Sequence, residues 1–322
     1  MRVYITREIP SGPLKKFDSA GIKYDVYSGD TPIGRDELIE NVKSADGLIS
    51  LLTDNIDKDI IDNATSLKVI ANYAVGYNNI DIKEADRRGI WVTNTPDVLT
   101  DATADLTIAL LLAVSRRIVE GDAFTRMGRY QGWAPLLMLG TELKGKTFGI
   151  IGMGRIGSAV AERVKAFGLE IVYYSRNRKH DIEKKLGAKY MEIDTLLKES
   201  DFVSIHTSYS DSLYHFIDSK KLDMMKDGSY LINTSRGKVI DEKALVSHLE
   251  NGKLAGAGLD VYEFEPKISE GLIKLDNVVL LPHIGSATSE TRTAMANMAV
   301  DNTIAVLQGK KPLTPVNSPF SE

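Results

Sequence analysis

Short apolar runs alternate along the chain with stretches that carry Leu and Ile at helical spacing. Strands are predicted over residues 3–6, 24–27, 47–51, 68–72 and 90–93, with Leu38, Ile39 and Val42 typical of the helical positions between them. A second series of strands is predicted over residues 147–151, 171–174, 202–206, 230–233, 256–261 and 278–281. Apolar strands separated by helices describe βαβ units, whose parallel sheets are covered on both faces. The expected fold class is α/β, with two doubly wound parallel-sheet domains. Between the two series a long helix is predicted from Ala102 to about Glu120, with Thr100 or Asp101 as its N-cap. Its centre, residues 108–114, is apolar all round, which predicts deep burial. Asp241 is placed to cap a helix over Glu242–Glu250, and Gly252 to follow its C-terminus. A last helix, Ser289–Leu307, is expected to pack back on the first unit.

Composition narrows the function. A length of 322 residues favours two domains. With 43% apolar and 26% charged residues and a net charge of −4, the chain has the make-up of a globular protein and no broad basic field for nucleic acid or an anionic membrane. It has no cysteine, which excludes disulfides, cysteine-ligated metal and thiolate nucleophiles and suits a reducing cytoplasm. The longest aliphatic stretch, residues 106–114, falls well short of the roughly 20 residues that a membrane span needs. The N-terminus reads as a strand, not a leader. A cytoplasmic protein with no metal centre is expected.

The sharpest local signal is Gly152-Met153-Gly154-Arg155-Ile156-Gly157, which follows a predicted strand and opens a helical run. The first glycine permits the tight turn, the second lets the backbone approach a pyrophosphate, and the third lets helix and strand pack closely. The helix N-terminus then offers N–H groups to the anion. The next strand ends in Ser175-Arg176-Asn177-Arg178, without the carboxylate that would read a free ribose 2′-hydroxyl. Serine with Arg176 and Arg178 suits a 2′-phosphate, so NADP(H) is favoured and NAD(H) is second.

In a parallel sheet the C-terminal strand ends share one edge, where ligands bind. That edge of the second series collects Gly152, Ser175, Thr207, Ser208, Thr234, Ser235, Arg236, Asp260 and His283. His283 follows Pro282 and precedes Gly285, and histidine is the natural proton donor near neutral pH. His180, His215 and His248 read as surface residues, and His206 as a strand residue near the edge. Arg236 could grip a carboxylate bidentately or pair with an acid such as Asp241. Asp260, Glu263 and Glu265 are all candidates for the carboxylate that would favour a charged His283.

These motifs, in this order and spacing, resemble the D-isomer-specific 2-hydroxyacid dehydrogenase family over nearly the whole chain. The resemblance rests on residues 152–157, 233–237, Gly258-Leu259-Asp260-Val261 leading to Glu265-Pro266, and Pro282-His283-Ile284-Gly285. Within the family, Ser175-Arg176 and Trp133-Ala134-Pro135-Leu136 are most similar to the glyoxylate and hydroxypyruvate reductases. The resemblance implies Arg236, Glu265 and His283 as the catalytic set, which selects Glu265 over Glu263. It implies the Val75 and Gly76 backbone as the holder of the substrate carboxylate, Leu51 as a pocket wall, and Asp260 with residues 234–236 near the nicotinamide. It further implies a flavodoxin-like substrate domain (1–99 plus 287–322), a Rossmann dinucleotide-binding domain (100–286), and a crevice that closes on substrate. A homodimer is implied, built on the long helix, with Trp133 reaching the partner's pocket. Phosphoglycerate-specific members carry arginine where Asn72 stands, and a C-terminal regulatory extension is not expected. Other members, acting on D-lactate, hydroxyisocaproate or 3-phosphoglycerate, are the nearest alternative. A non-enzymatic nucleotide-sensing scaffold is the remaining one.

Overall fold

The computed structural model describes residues 1–319; the last three positions of the expected substrate domain lie outside the described residues. The chain divides into two compact units, one formed by Met1–Leu99 with the chain from Ser286 onward, the other by Thr100–Gly285. In the first unit five strands, β1 (Arg2–Ile5), β2 (Lys23–Val26), β3 (Gly47–Ser50), β4 (Val69–Asn72) and β5 (Trp91–Thr93), form a sheet of order β2-β1-β3-β4-β5. Every pairing in it is parallel. β3 and β4 are buried at every residue, as continuous apolar runs demand of central strands, whereas β2 is exposed or half-buried throughout, as an edge strand can be. The Ser289–Leu307 helix packs on β3 and β4 of this same unit, so its sequence-distant C-terminal segment completes the core.

The second unit holds β6 (Thr147–Ile151), β7 (Glu170–Tyr174), β8 (Lys189–Tyr190), β9 (Phe202–Ile205), β10 (Ser229–Asn233), β11 (Leu254–Leu259) and β12 (Val278–Leu280). They form one all-parallel sheet of order β12-β11-β10-β9-β6-β7-β8. The order reverses between β6 and β9, and that switch point is where such sheets bind ligands. Two parallel α/β sheets are therefore present. β8, two residues long at the sheet edge, is too short to show a period and was not expected.

The long helix differs from its expectation in two ways. It begins at Thr100 and stops at Ser115; Arg117 turns left-handed (φ 53°), and a separate helix, Ile118–Arg126, follows. Its centre is not buried all round. Thr103, Thr107, Ile108, Leu110, Leu111 and Val114 are buried, but Ala109 is exposed and Leu106, Leu112 and Ala113 are half-buried. The buried stripe lies on β10 and β11. A Cβ at Gly258 would stand 3.0 Å from Leu110 Cβ, so the glycine sets how closely this helix approaches the sheet.

Candidate active site

Each functional group sits at the C-terminal end of a strand, and the two units present different kinds of group. In the second unit, Gly152 leaves β6 at φ +100°, and a Cβ there would lie 2.7 Å from the His206 carbonyl oxygen, so conformation and space both require glycine. At Gly157 a Cβ would come 2.2 Å from the Gly152 oxygen, which confirms close helix–turn packing. Gly154 is the N-cap of the Arg155–Ala166 helix, makes no side-chain cap, and its Cβ direction meets nothing within 4 Å. Arg155 and Ile156 stand in the first helical turn, exposed and half-buried. Beside Gly152, the Thr207 hydroxyl and His206 Nδ1 are buried without a hydrogen-bond partner among the described residues. Burial pushes His206 down to about 3, so it is neutral, and its Nε2 lies 2.8 Å from the Ser204 hydroxyl. Ser208 is exposed. An uncapped helix end, open space above the second glycine and orphaned polar atoms alongside fit a dinucleotide pyrophosphate.

At the end of β7, Ser175 is half-buried and Arg176 is exposed, with no ion pair among the described residues. Arg178 is engaged elsewhere: it donates to Glu183 at 2.7 and 3.1 Å, and the Tyr173 hydroxyl donates to the same carboxylate at 2.6 Å. Arg178 and Tyr173 hold the Glu183 carboxyl down to about 2.

Arg236, Glu265, Asp260 and His283 converge. His283 Nδ1 lies 2.9 Å from Glu265 Oε2, and the Tyr262 N–H donates to Oε1 at 2.9 Å. Burial pushes the Glu265 carboxyl up, but the His283 hydrogen bond and charge, the Tyr262 amide and the Arg236 guanidinium together bring it below the usual glutamate range. Asp260 accepts the Ile284 and Gly285 N–H groups at 2.7 and 2.8 Å. It thereby pins the turn on which His283 sits at φ +56°, a left-handed conformation costly for a non-glycine residue. Burial raises the Asp260 carboxyl despite those amides. Arg236 is half-buried; burial lowers its guanidinium and the nearby Glu265 charge opposes this. Its Nη1 donates to the Ser235 carbonyl at 2.7 Å. Thr234 and Thr107 hydroxyls are 2.9 Å apart, tying this turn to the buried helix.

The contacts of Asn233 escape sequence reasoning. Asn233 is fully buried and builds the Arg236 turn: its Oδ1 accepts from the Ser235 N–H (3.0 Å) and hydroxyl (2.9 Å), and its Nδ2 donates to the Arg236 carbonyl at 3.0 Å. Gly237 is required for space: a Cβ would fall 1.8 Å from the Tyr262 carbonyl carbon. Three histidines had been read as surface residues. His180 is exposed, but His248 is buried, bridging the Ala244 carbonyl (2.7 Å) and Asp223 (3.0 Å), and His215 is half-buried, 2.8 Å from Glu263. Both satisfy their polar atoms inside the fold, which position in sequence does not reveal. Asp241 accepts from the Ala244 N–H as the predicted cap, at 3.0 Å.

In the first unit, β4 leads into residues 74–78. The Ala74, Val75 and Gly76 carbonyls accept from the Thr95 N–H (2.9 Å), Asn94 Nδ2 (2.8 Å) and Asn72 Nδ2 (2.8 Å). The Val75 and Gly76 N–H groups make no hydrogen bond among the described residues and are half-buried, the arrangement of a backbone anion cradle. Leu51, half-buried, follows β3. Trp133, in the second unit, is 83% exposed within an apolar segment that also exposes Ile118, Val119, Met127, Tyr130, Leu136 and Leu139. Among the described residues no helix is long and apolar enough to cross a membrane, and no cluster of His, Cys, Asp and Glu could hold a metal ion.

The sequence profile of the D-isomer specific 2-hydroxyacid dehydrogenase NAD binding domain matches residues 108–285. Glyoxylate reductase of Thermococcus litoralis is 53% identical over 320 residues, covering 98% of this chain and 96% of that protein. A crystal structure of a Thermus thermophilus protein superposes with a TM-score of 0.94 at 46% identity, covering 98% of this chain and all of that one. An NADPH-dependent glyoxylate/hydroxypyruvate reductase of Sinorhizobium meliloti, solved with NADP and malonate, matches at 34% identity with a TM-score of 0.86, covering 100% of this chain and 98% of that chain.

Proposed function

The chain belongs to the D-isomer specific 2-hydroxyacid dehydrogenase family and is an oxidoreductase that binds a nicotinamide dinucleotide, and from that premise we propose that it reduces a small 2-oxo acid, glyoxylate or hydroxypyruvate, with NADPH. The observation that carries this reading is the convergence of Arg236, Glu265 and His283 at one sheet edge, with His283 Nδ1 held 2.9 Å from Glu265.

The dinucleotide, when bound, supplies the hydride. Gly152, Gly154, Gly157 and the uncapped helix start receive its pyrophosphate. Thr234, Ser235 and Asp260 would border its nicotinamide end, and Thr207, beside Gly152, would lie by the pyrophosphate. Arg236 orients the keto oxygen and stabilises the negative charge that develops on it. His283 gives a proton to that oxygen, and the Glu265 carboxylate, 2.9 Å away, orients the imidazole for the transfer. The bare Val75 and Gly76 amides receive the substrate carboxylate, with Leu51 bounding the side-chain pocket.

The choice of NADPH rests on Ser175 and Arg176. A guanidinium without an ion pair among the described residues and the absence of an acid at the end of β7 favour a 2′-phosphate. Arg178 is engaged by Glu183, so Arg176 carries this preference. The exposed apolar segment around Trp133 exceeds what isolated surface residues need and supports a second copy of the chain as its cover, in a cytoplasmic homodimer. Steady-state kinetics on glyoxylate, hydroxypyruvate, pyruvate, 2-oxoisocaproate and 3-phosphohydroxypyruvate, each with NADPH and NADH, test the proposal. Highest kcat/KM with NADPH and one of the first two supports it. A preference for a phosphorylated or branched acid, or for NADH, overturns the finer assignment.

A further inference from the structure

The bare N–H groups of Val75 and Gly76 depend on a second set of contacts behind them, all within the first unit. Asn79 lies half-buried below the cradle. Its side-chain nitrogen donates to the Leu51 carbonyl at 3.0 Å and to the Asp54 carbonyl at 2.9 Å. Its Oδ1 lies 3.3 Å from Asn72 Nδ2, the same nitrogen that donates to the Gly76 carbonyl at 2.8 Å. Asn72 Oδ1 in turn accepts from the Ser50 hydroxyl at 3.2 Å. Leu51 is also fixed through its N–H, which donates to the buried Asp54 carboxylate at 2.7 Å, while the Thr6 hydroxyl donates to that same carboxylate.

One amide side chain therefore touches the Leu51 turn after β3 directly and reaches the Gly76 turn after β4 through Asn72, the two segments that the proposed function assigns to substrate. The network is neutral where it meets the cradle. A positive group would compete for the carboxylate, and a negative one would repel it. An amide satisfies carbonyls without adding charge, and leaves the N–H groups as the local positive ends.

We propose that Asn79 is a positioning residue for substrate: its side-chain amide holds the Leu51 and Asn72–Gly76 segments in fixed register, so that the Val75 and Gly76 N–H groups are presented together to a carboxylate. This rests on the reading that Val75 and Gly76 bind the substrate carboxylate, which a parallel variant tests separately. Asn79 touches none of the reacting atoms. Its loss weakens binding of substrate and transition state alike, so the effect falls on KM.

The experiment compares Asn79→Ala and Gly76→Val with the wild-type full chain, measuring KM and kcat for glyoxylate and the dissociation constant for NADPH. Gly76→Val crowds the cradle directly. For Asn79→Ala the expected result is a KM raised roughly tenfold, kcat changed less than about threefold, and NADPH affinity unchanged. Should Asn79→Ala fail to fold, Asn79→Ser keeps one donor, and a smaller KM rise of the same kind is expected. If Gly76→Val raises KM and the Asn79 variant does not, the positioning role is overturned and the carboxylate reading stands. If neither variant raises KM, the carboxylate reading falls and the proposal with it. If only the Asn79 variant raises KM, or if KM, kcat and NADPH affinity all degrade together, Asn79 is a general stabiliser of the fold and the proposal is wrong.

Discussion

The two units end their strands in opposite chemical styles. The second unit places charge there: Arg236 after β10, Glu265 beyond β11 and His283 after β12, with Glu265 and His283 2.9 Å apart. The first unit places neutral backbone there, with three carbonyls tied back by Asn72, Asn94 and Thr95 and two N–H groups that make no hydrogen bond among the described residues. Side chains that change or stabilise charge can do chemistry. A neutral backbone cradle suits holding and orienting a carboxylate. On the proposed reading, the reaction and the grip on the substrate are assigned to separate parts of the chain and should fail separately when altered.

The largest effect is expected where charge develops. Arg236→Lys keeps the positive charge but loses the planar fork, and kcat/KM for glyoxylate should fall by about 10²–10³, the usual consequence of losing an oxyanion donor. Steady-state kinetics check this, and a mere rise in KM at constant kcat would move Arg236 from the chemical to the holding side of the comparison. Next in size is the coenzyme edge. Arg176→Asp should shift the ratio of kcat/KM with NADPH to that with NADH by at least about tenfold toward NADH, the scale of one hydrogen bond to a charged group. Arg178→Ala should move that ratio far less, because Glu183 already engages Arg178.

Acid titration sharpens the contrast further. The folded Glu265 carboxyl lies below its ordinary value, so its contribution to stability is full above the unfolded value and is lost as pH falls through the folded one. The Tm difference between wild type and Glu265→Gln should therefore be full at about pH 5–6 and close below about pH 4, as followed by thermal melts across that range. A gap that instead opens as the solution is acidified would contradict the ion pair. The smallest effect is expected at Glu263, two residues away, which accepts from His215 Nε2 (2.8 Å) and the Tyr214 hydroxyl (3.0 Å) and makes no contact with His283 among the described residues. Glu263→Gln should lower Tm by several degrees, on roughly 1.5–3 kcal/mol for hydrogen bonds to a charged group, with kcat nearly unchanged.

The same contrast explains what could be read from sequence. Both parallel sheets were legible, because buried parallel strands are continuous apolar runs and their ends collect polar residues. The glycine turn before Arg155 was legible because each glycine answers a separate steric demand. Residues whose function is to hold backbone were not legible. Asn233 and Asn79 are ordinary polar residues in sequence, and only the carbonyls and N–H groups around them reveal their contacts. Glu263 and Glu265 are indistinguishable by chemistry alone; the fold turns one toward His215 and the other toward His283. The break after Ser115 was hidden because nothing between Ser115 and Ile118 is a glycine or proline, and Arg117 takes the left-handed turn itself.

The central claim is that His283 gives the proton to the nascent alkoxide. Single-turnover oxidation of NADPH by glyoxylate, followed at 340 nm in His283→Ala with NADPH affinity measured in parallel, tests it most directly. The account predicts turnover lowered by about 10²–10⁴ at unchanged NADPH affinity, with partial recovery on adding imidazole. Oxidation at close to the wild-type rate without imidazole would contradict it.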